Sequence, residues 1–405
     1  MSFGQLGEFP LASHFLSIKN FHALLKNIFC PLIINRNTGK NNKDMMKRKR
    51  IPFKKIKKLL DPDFINKFFN KRYRRYYKEA KGCRFLGIKK IKRFAGGKSI
   101  SASYFLKLKI GKEEKIKIID GRARQRLFTD ENNPQRHYLV LKHLYTKNFS
   151  REVPRPLDYQ KPYNLLLYEE VEGEALQQKL MRGEISFVLS FIPKIVFWLR
   201  KLHRENLLKG RLAALEGSNR ILLRDKKVEA KEMRHALFLT KKFYPQGTLS
   251  VKKVVEKLNK LRRKKKNWFL EKENYALCHY DVHFGNFLTS DRQLKVIDFS
   301  DACFYDPLAD LACFLVQTES MLEYYQRKKA KIILPRIKNQ IINLYFKRQP
   351  ERREIFRLKY FEIRRLVSMF TSLIFVEGEE KNKKLMLDDF KKKISLKFKQ
   401  IEGTL

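Results

Sequence analysis

The segment that most constrains this chain is Cys278-His279-Tyr280-Asp281-Val282-His283-Phe284-Gly285-Asn286-Phe287, followed by Asp298-Phe299-Ser300-Asp301. It places His279, Asp281 and Asn286 at H-x-D-x-x-x-x-N spacing on one loop. Leu294 to Ile297 alternates as a strand does and delivers Asp298 beside that loop. A lone His-x-Asp would read as an ordinary loop with solvated acids. The full spacing, with a second Asp arriving on a strand end, is far more specific: two carboxylates and an amide oxygen must meet on a rigid support.

Hard oxygen donors of this kind suit a magnesium ion in a tight octahedron. A carboxylate beside them can orient and deprotonate a hydroxyl, which is most of what phosphoryl transfer asks of a protein. The same spacing is that of kinase catalytic loops.

The rest of the chain divides into a strand-rich part and a helical part. Tyr104 to Ile110 and Lys115 to Ile119 alternate and predict a hairpin around Gly111-Lys112. A helix is expected near Gln135 to Tyr145, and Leu165 to Tyr168 reads as a buried strand. From about Gln177 helical spacing dominates, as in Ile192 to His203 and Val251 to Arg263, with two short strands at Phe287-Leu288 and Leu294 to Ile297. The expected fold class is therefore α+β and bilobal, with a small β-rich N-lobe over residues 85–170 and a larger, mainly helical C-lobe over 171–405. Before them, residues 1–45 are expected to be disordered or to follow a mis-assigned start, since Met45-Met46 precedes Lys47 to Arg50. Residues 46–84 are expected to form a basic helical extension.

The charge is extreme, with 90 Lys and Arg against 42 Asp and Glu, a formal +48. Such a field draws phosphates, nucleic acids and anionic lipids. The basic residues occur in every region, as in a proteome rich in the residues of AT-rich codons, so a solvated surface is an equal reading. Aromatics interleave the basic stretch from Lys47 to Arg93 (Phe68-Phe69, Tyr73, Tyr76-Tyr77). That predicts either an arm for nucleic acid or an anionic membrane, or amphipathic helices packing their aromatic face on the adjoining domain. With 43% hydrophobic residues the chain is globular, and no uncharged apolar run approaches the ~18 residues of a membrane span. Five irregularly spaced cysteines suggest reduced thiols and a cytoplasmic enzyme.

Three segments carry a family resemblance: His279 to Asn286, then Ile297-Asp298-Phe299-Ser300-Asp301-Ala302, then Asp306-Pro307-Leu308-Ala309-Asp310-Leu311-Ala312. Together they resemble the aminoglycoside phosphotransferase and choline kinase superfamily, which has a protein kinase-like fold. The resemblance is strong over 277–315 and extends over roughly 85–320. It implies a small-molecule kinase using ATP, or GTP, and Mg2+. In it Asp281 is the catalytic base, Asn286 and Asp298 are the metal ligands, and His279 and Asp310 support the catalytic loop. His283 touches phosphate or metal, or makes a structural hydrogen bond; Asp301 is a further acidic contact, or caps the following turn. Ala95-Gly96-Gly97-Lys98-Ser99 stands where the family covers the phosphates, with Gly96, Gly97 and Ser99 as candidates, although a plain hairpin turn reads the same way. Lys117, with Lys115 as runner-up, is the expected strand lysine. The helix Glu that should hold it is replaced by His137. Backbone groups around Glu170 would pair with the adenine edge.

Ser300 in place of Gly, and the absence of an Ala-Pro-Glu segment, set the chain apart from protein kinases. A sugar or lipopolysaccharide-core kinase is a nearer alternative. The Lys- and Arg-rich C-terminal third points to a small-molecule or sugar acceptor that is neutral or anionic. An alternative of another class is a degenerate kinase-fold adaptor that binds nucleic acid or an anionic membrane through residues 47–93 and Arg262 to Lys266.

Overall fold

The structure is a computed structural model describing residues 51–93, 99–124, 134–205, 222–224, 226–376 and 379–403. Gly96, Gly97 and residues 1–45 lie outside these.

Three short helices open the described chain: α1 (Phe53–Lys57), α2 (Pro62–Asn70) and α3 (Tyr73–Tyr76). Asp61 caps α2 by accepting from the Asp63 and Phe64 N–H groups, with Pro62 in the first turn. A five-stranded antiparallel sheet follows, in the order β1-β2-β3-β5-β4. Its strands are β1 (Ala80–Arg93), β2 (Ser99–Ile110), β3 (Glu113–Arg124), β4 (Pro156–Gln160) and β5 (Leu165–Glu169), with α4 (Pro134–Thr146) between β3 and β4. β2 and β3 form the expected hairpin, Ile110 facing Glu113 across Gly111-Lys112, and both strands run longer than the alternation suggested.

The two faces of this sheet have different tasks. Ile100, Ala102, Tyr104, Leu106, Ile119, Ala123, Leu165 and Leu167 lie on one face and bury Ile56, Leu59, Ile65, Phe68 and Phe69 of the opening helices. The Tyr104 hydroxyl donates to the Leu59 carbonyl at 3.2 Å, and that of Tyr76 to Asp158 at 2.9 Å. The extension thus packs its aromatic side inward, and Phe68, Phe69, Tyr76 and Tyr77 are buried, not offered to bases as an arm would require. Strand β1 also begins at Ala80, inside the stretch expected to be helical. The opposite face, carrying Ser101, Arg122 and Leu166 in register, looks toward α4 and the rest of the molecule.

The helical lobe begins with β6 (Glu174–Ala175), α5 (Leu176–Met181), α6 (Ile185–Ser190) and α7 (Ile192–His203). Next come β7 (Leu222–Leu223), α8 (Lys226–Phe243), α9 (Thr248–Lys264), β8 (Ala276–Cys278), β9 (Phe287–Ser290), β10 (Gln293–Val296) and β11 (Cys303–Tyr305). It closes with α10 (Leu308–Tyr325), α11 (Arg327–Phe346), α12 (Arg352–Val376) and α13 (Glu380–Glu402). Two small sheets, β10-β9-β6 and β7-β11-β8, frame the loops at 279–286 and 297–302. Helix α10 is buried from Leu308 to Thr318 on every side, which makes it the rigid post behind those loops. Among the described residues no helix is long and apolar enough to cross a membrane.

Gly121 lies where β3 passes beneath the Tyr104 ring, and a Cβ there would meet Tyr104 Cε2 at 2.6 Å. Gly121→Ala is expected to destabilise the N-lobe by about 1–3 kcal/mol, measured as a lower urea midpoint. An unchanged midpoint would contradict the packing of α1–α3 against this face.

Candidate active site

The site is assembled around Asp310 in the first turn of α10. Its Oδ2 accepts the His279 N–H at 2.8 Å and its Oδ1 the Tyr280 N–H at 2.7 Å. His203, at the end of α7, brings Nε2 to 3.0 Å from Oδ2, and the Tyr345 hydroxyl holds its Nδ1 at 2.8 Å. These bonds hold Tyr280 at φ +66, a conformation costing a bulky residue of order 1–3 kcal/mol.

His279 ties the two loops together. Its Nε2 donates to the Ile297 carbonyl at 2.9 Å, its Nδ1 accepts from the Asp281 N–H at 3.4 Å, and its ring packs on Phe299 at 4.9 Å between centroids. Asn286 donates through Nδ2 to the Asp281 carbonyl at 2.9 Å, so that its amide oxygen is the atom that could ligate a metal. His283 uses Nδ1 for the Gly285 N–H at 3.0 Å and sets Nε2 3.4 Å from Asp281 Oδ2. Both its nitrogens therefore serve the loop, in line with the structural reading of that residue.

Asp281 is buried. Burial acts against its charged form, but His283, Arg365 and His279 outweigh burial and hold its carboxyl below the ordinary aspartate value. The Arg365 contact, 3.1 Å from Oδ1, comes from α12.

Asp298 sits at φ +65, and both its oxygens are clamped by Arg122, at 2.6 and 2.9 Å. Burial is again outweighed, chiefly by Arg122 and then His137, and the carboxyl lies well below its ordinary value. The basic partner delivered by β3 is thus Arg122. Lys117 is an odd number of positions away and stands on the other face, opposite Leu106 and toward the opening helices. Lys115 shares that face and pairs with Glu113 at 2.9 Å. The apolar alternation predicts a strand that stops at Ile119, and Arg122 lies beyond it. Arg365, far along the chain, carries no local sequence signal.

Where the family's helix Glu was sought, His137 accepts the Phe299 N–H on Nε2 at 3.3 Å and packs near Tyr168 and Phe299. Burial, reinforced by Arg122, pushes its pKa down to about 3, so it is a neutral acceptor. It holds the loop after Asp298 and leaves the strand cation to Asp298 itself. Ser99 begins β2 opposite Arg124, on the same face as Arg122. The Glu170 N–H donates to the Ile118 carbonyl at 2.9 Å, so that group serves the sheet.

Asp301 ends the turn after Asp298. Its Oδ1 is buried and makes no hydrogen bond; burial first, and Asp281 second, push its pKa up to about 6. A buried carboxylate oxygen without a partner, near enough to Asp281 and Asp298 to feel their charge, is the kind of hard donor a divalent cation takes. The residues fit Mg2+, provided Arg122 yields an oxygen of Asp298.

The chain belongs to the phosphotransferase enzyme family, whose signature matches residues 124–336, just over half its length. It is a phosphotransferase. In fold it is similar to a choline kinase from Cryptosporidium parvum Iowa II (TM-score 0.50, 13% identity, covering 85% of this chain and 98% of that one). It is also similar to an amicoumacin kinase solved with AMP-PNP, Ca2+ and Ami (0.49, 14%, 75% and 87%), and to a spectinomycin phosphotransferase solved with ADP and spectinomycin (0.47, 11%, 84% and 98%). No curated protein matches its sequence. The bilobal kinase-like α+β architecture expected above is the one observed.

A carboxyl whose folded pKa is raised favours the folded state below its unfolded value and weighs against it as pH rises through the folded one. Asp301 thus costs stability above about pH 6. In metal-free buffer Asp301→Asn is expected to stabilise the protein by about 2–3 kcal/mol at pH 8, with little effect at pH 4. Denaturation at both pH values checks this, and equal effects at the two would refute it.

Proposed function

We propose that the protein transfers the γ-phosphate of ATP, or GTP, to a hydroxyl of a neutral or anionic small molecule or sugar. The observation that carries this reading is the meeting of Asp281, Asn286 and Asp298 on one supported pair of loops. Asp281, kept ionised, orients the acceptor hydroxyl and takes its proton. Asn286 and Asp298, with Asp301 behind them, would hold Mg2+, which when bound neutralises the β- and γ-phosphates. Arg122 takes the role expected of Lys117: it leaves Asp298 for the polyphosphate, a partner that a planar guanidinium grips well. Ser99 would contact the phosphates, and the main chain after Glu170 would border the base. His279 is a positioning residue. A nucleotide substrate and the unpaired thiols of Cys83, Cys278, Cys303 and Cys313 among the described residues suit a cytoplasmic enzyme.

The acceptor class follows from how the acids near α8–α13 are spent. Glu319 pairs with Lys338 at 2.6 Å, Glu323 with Lys393 at 2.6 Å, and Glu362 with Lys359 at 3.0 Å. Glu232, whose carboxylate receives the Tyr280 hydroxyl, is held by Arg364 at 2.7 Å and by Arg224. A polycationic acceptor would have to compete with these partners. The burial of Phe68, Phe69, Tyr76 and Tyr77 counts against the adaptor reading.

With Mg2+, ATP and fractionated cell metabolites, acceptor-dependent ADP release is expected, about 10²–10⁴-fold lower in Asp281→Ala and abolished by EDTA. Asp298→Ala is expected to lose metal-dependent turnover altogether. Failure of the wild type to bind or turn over either nucleotide would overturn the reading.

A further inference from the structure

A general base needs a carboxylate lone pair turned to the acceptor, yet Asp281 is shared three ways. Oδ2 faces His283 Nε2 and Asn286 Nδ2, each at 3.4 Å, and Oδ1 faces an Arg365 guanidinium nitrogen at 3.1 Å. The first two belong to the catalytic loop and build it. Arg365 is not part of that loop: it reaches in from α12.

Its twin, Arg364, turns the other way, to the Tyr305 hydroxyl at 2.7 Å and to Glu232. Arg224 stacks over the Tyr280 ring at 3.6 Å. Glu229, the next acid on α8, accepts from Tyr305 and lies 3.7 Å from both Arg262 and Arg364. On this side of Asp281 the acids are matched by guanidinium groups, and Arg365 adds a positive charge directed at the base.

At 3.1 Å from Oδ1, Arg365 occupies the oxygen that an acceptor hydroxyl would need, and it must be drawn away before that hydroxyl can bond there. Resting on the kinase reading above, we propose that Arg365 is the specificity-determining residue for the acceptor, and that the acceptor is a small alcohol bearing a carboxylate or phosphate beside its reacting hydroxyl. The anionic group draws the guanidinium from Oδ1 and forms a charge-assisted pair with it. The freed Oδ1 then receives the hydroxyl. A hydrogen-bond length on each side of the 3.1 Å gap between Oδ1 and Arg365 sets the hydroxyl oxygen and the anion roughly 9 Å apart at most, a limit that a hydroxy acid or a polyol phosphate meets. In the transfer, the hydroxyl oxygen bonds to the γ-phosphorus as the bond from that phosphorus to the β,γ-bridging oxygen breaks. ADP leaves with the electron pair, and the proton passes to Asp281 and from there to water.

Calorimetry on the full chain loaded with AMP-PNP and Mg2+ tests this with the anion site of the nucleotide already filled. The probes are glycerate, glycerol phosphate, glycerol and choline. Glycerate or glycerol phosphate is expected to bind, and which of them does separates a carboxylate from a phosphate site. Arg365→Gln is expected to weaken that binding by at least 10-fold and Arg365→Lys to restore part of it, with AMP-PNP affinity kept within about twofold as evidence of folding. Binding led by choline or glycerol, equal binding by Arg365→Gln, or binding by none of the four would overturn the proposal. Failure of the wild type to bind AMP-PNP with Mg2+ would instead overturn the kinase reading beneath it.

Discussion

The buried carboxylate of Asp310 is the contact on which the rest of the site depends. It receives two consecutive backbone N–H groups and an imidazole, and it is wholly enclosed. Charge-assisted bonds in such surroundings are strong, and an unpaired partner would be costly. They hold the strained Tyr280, which turns the chain so that Asp281 and Asn286 point to one place. His203 and Tyr345 extend the support to α7 and α11, so that three helices fix one loop.

A second constraint is the matching of buried charges. Glu362 with Lys397 is enclosed, while Asp298 with Arg122 and Glu232 with Arg224 and Arg364 are partly buried. Breaking such a pair by removing one partner leaves an uncompensated charge, which costs more than the pair gains over an apolar one. The formal +48 therefore says little about the site, where guanidinium groups and carboxylates are closely matched. The excess lies on exposed lysines and arginines such as those of α1 and α13.

The N-terminal extension shows how the same residues support opposite readings until packing decides. Basic residues with interleaved aromatics describe both a nucleic-acid arm and an amphipathic cover. The sheet resolves the choice because its outer face is apolar and would otherwise be exposed. Burying Phe68, Phe69 and Ile65 there gains more than presenting them to solvent.

Much was legible in the sequence because it is local. The spacing of His279, Asp281, Asn286, Asp298 and Asp310 lies within one short stretch, where a loop, a hairpin and a helix start follow from neighbouring residues alone. The two-residue turn at Gly111-Lys112 and the helix from Ile192 to His203 were legible for the same reason. What tertiary structure decided is which distant side chains face that stretch. A strand's alternation says that Lys117 and Arg122 lie on opposite faces, but not which face the site occupies. No pattern in α12 says that Arg365 meets Asp281, or in α4 that His137 meets Phe299. Those contacts depend on how helices and sheet stack, and side-chain packing between elements remote in sequence leaves no periodic trace in either one.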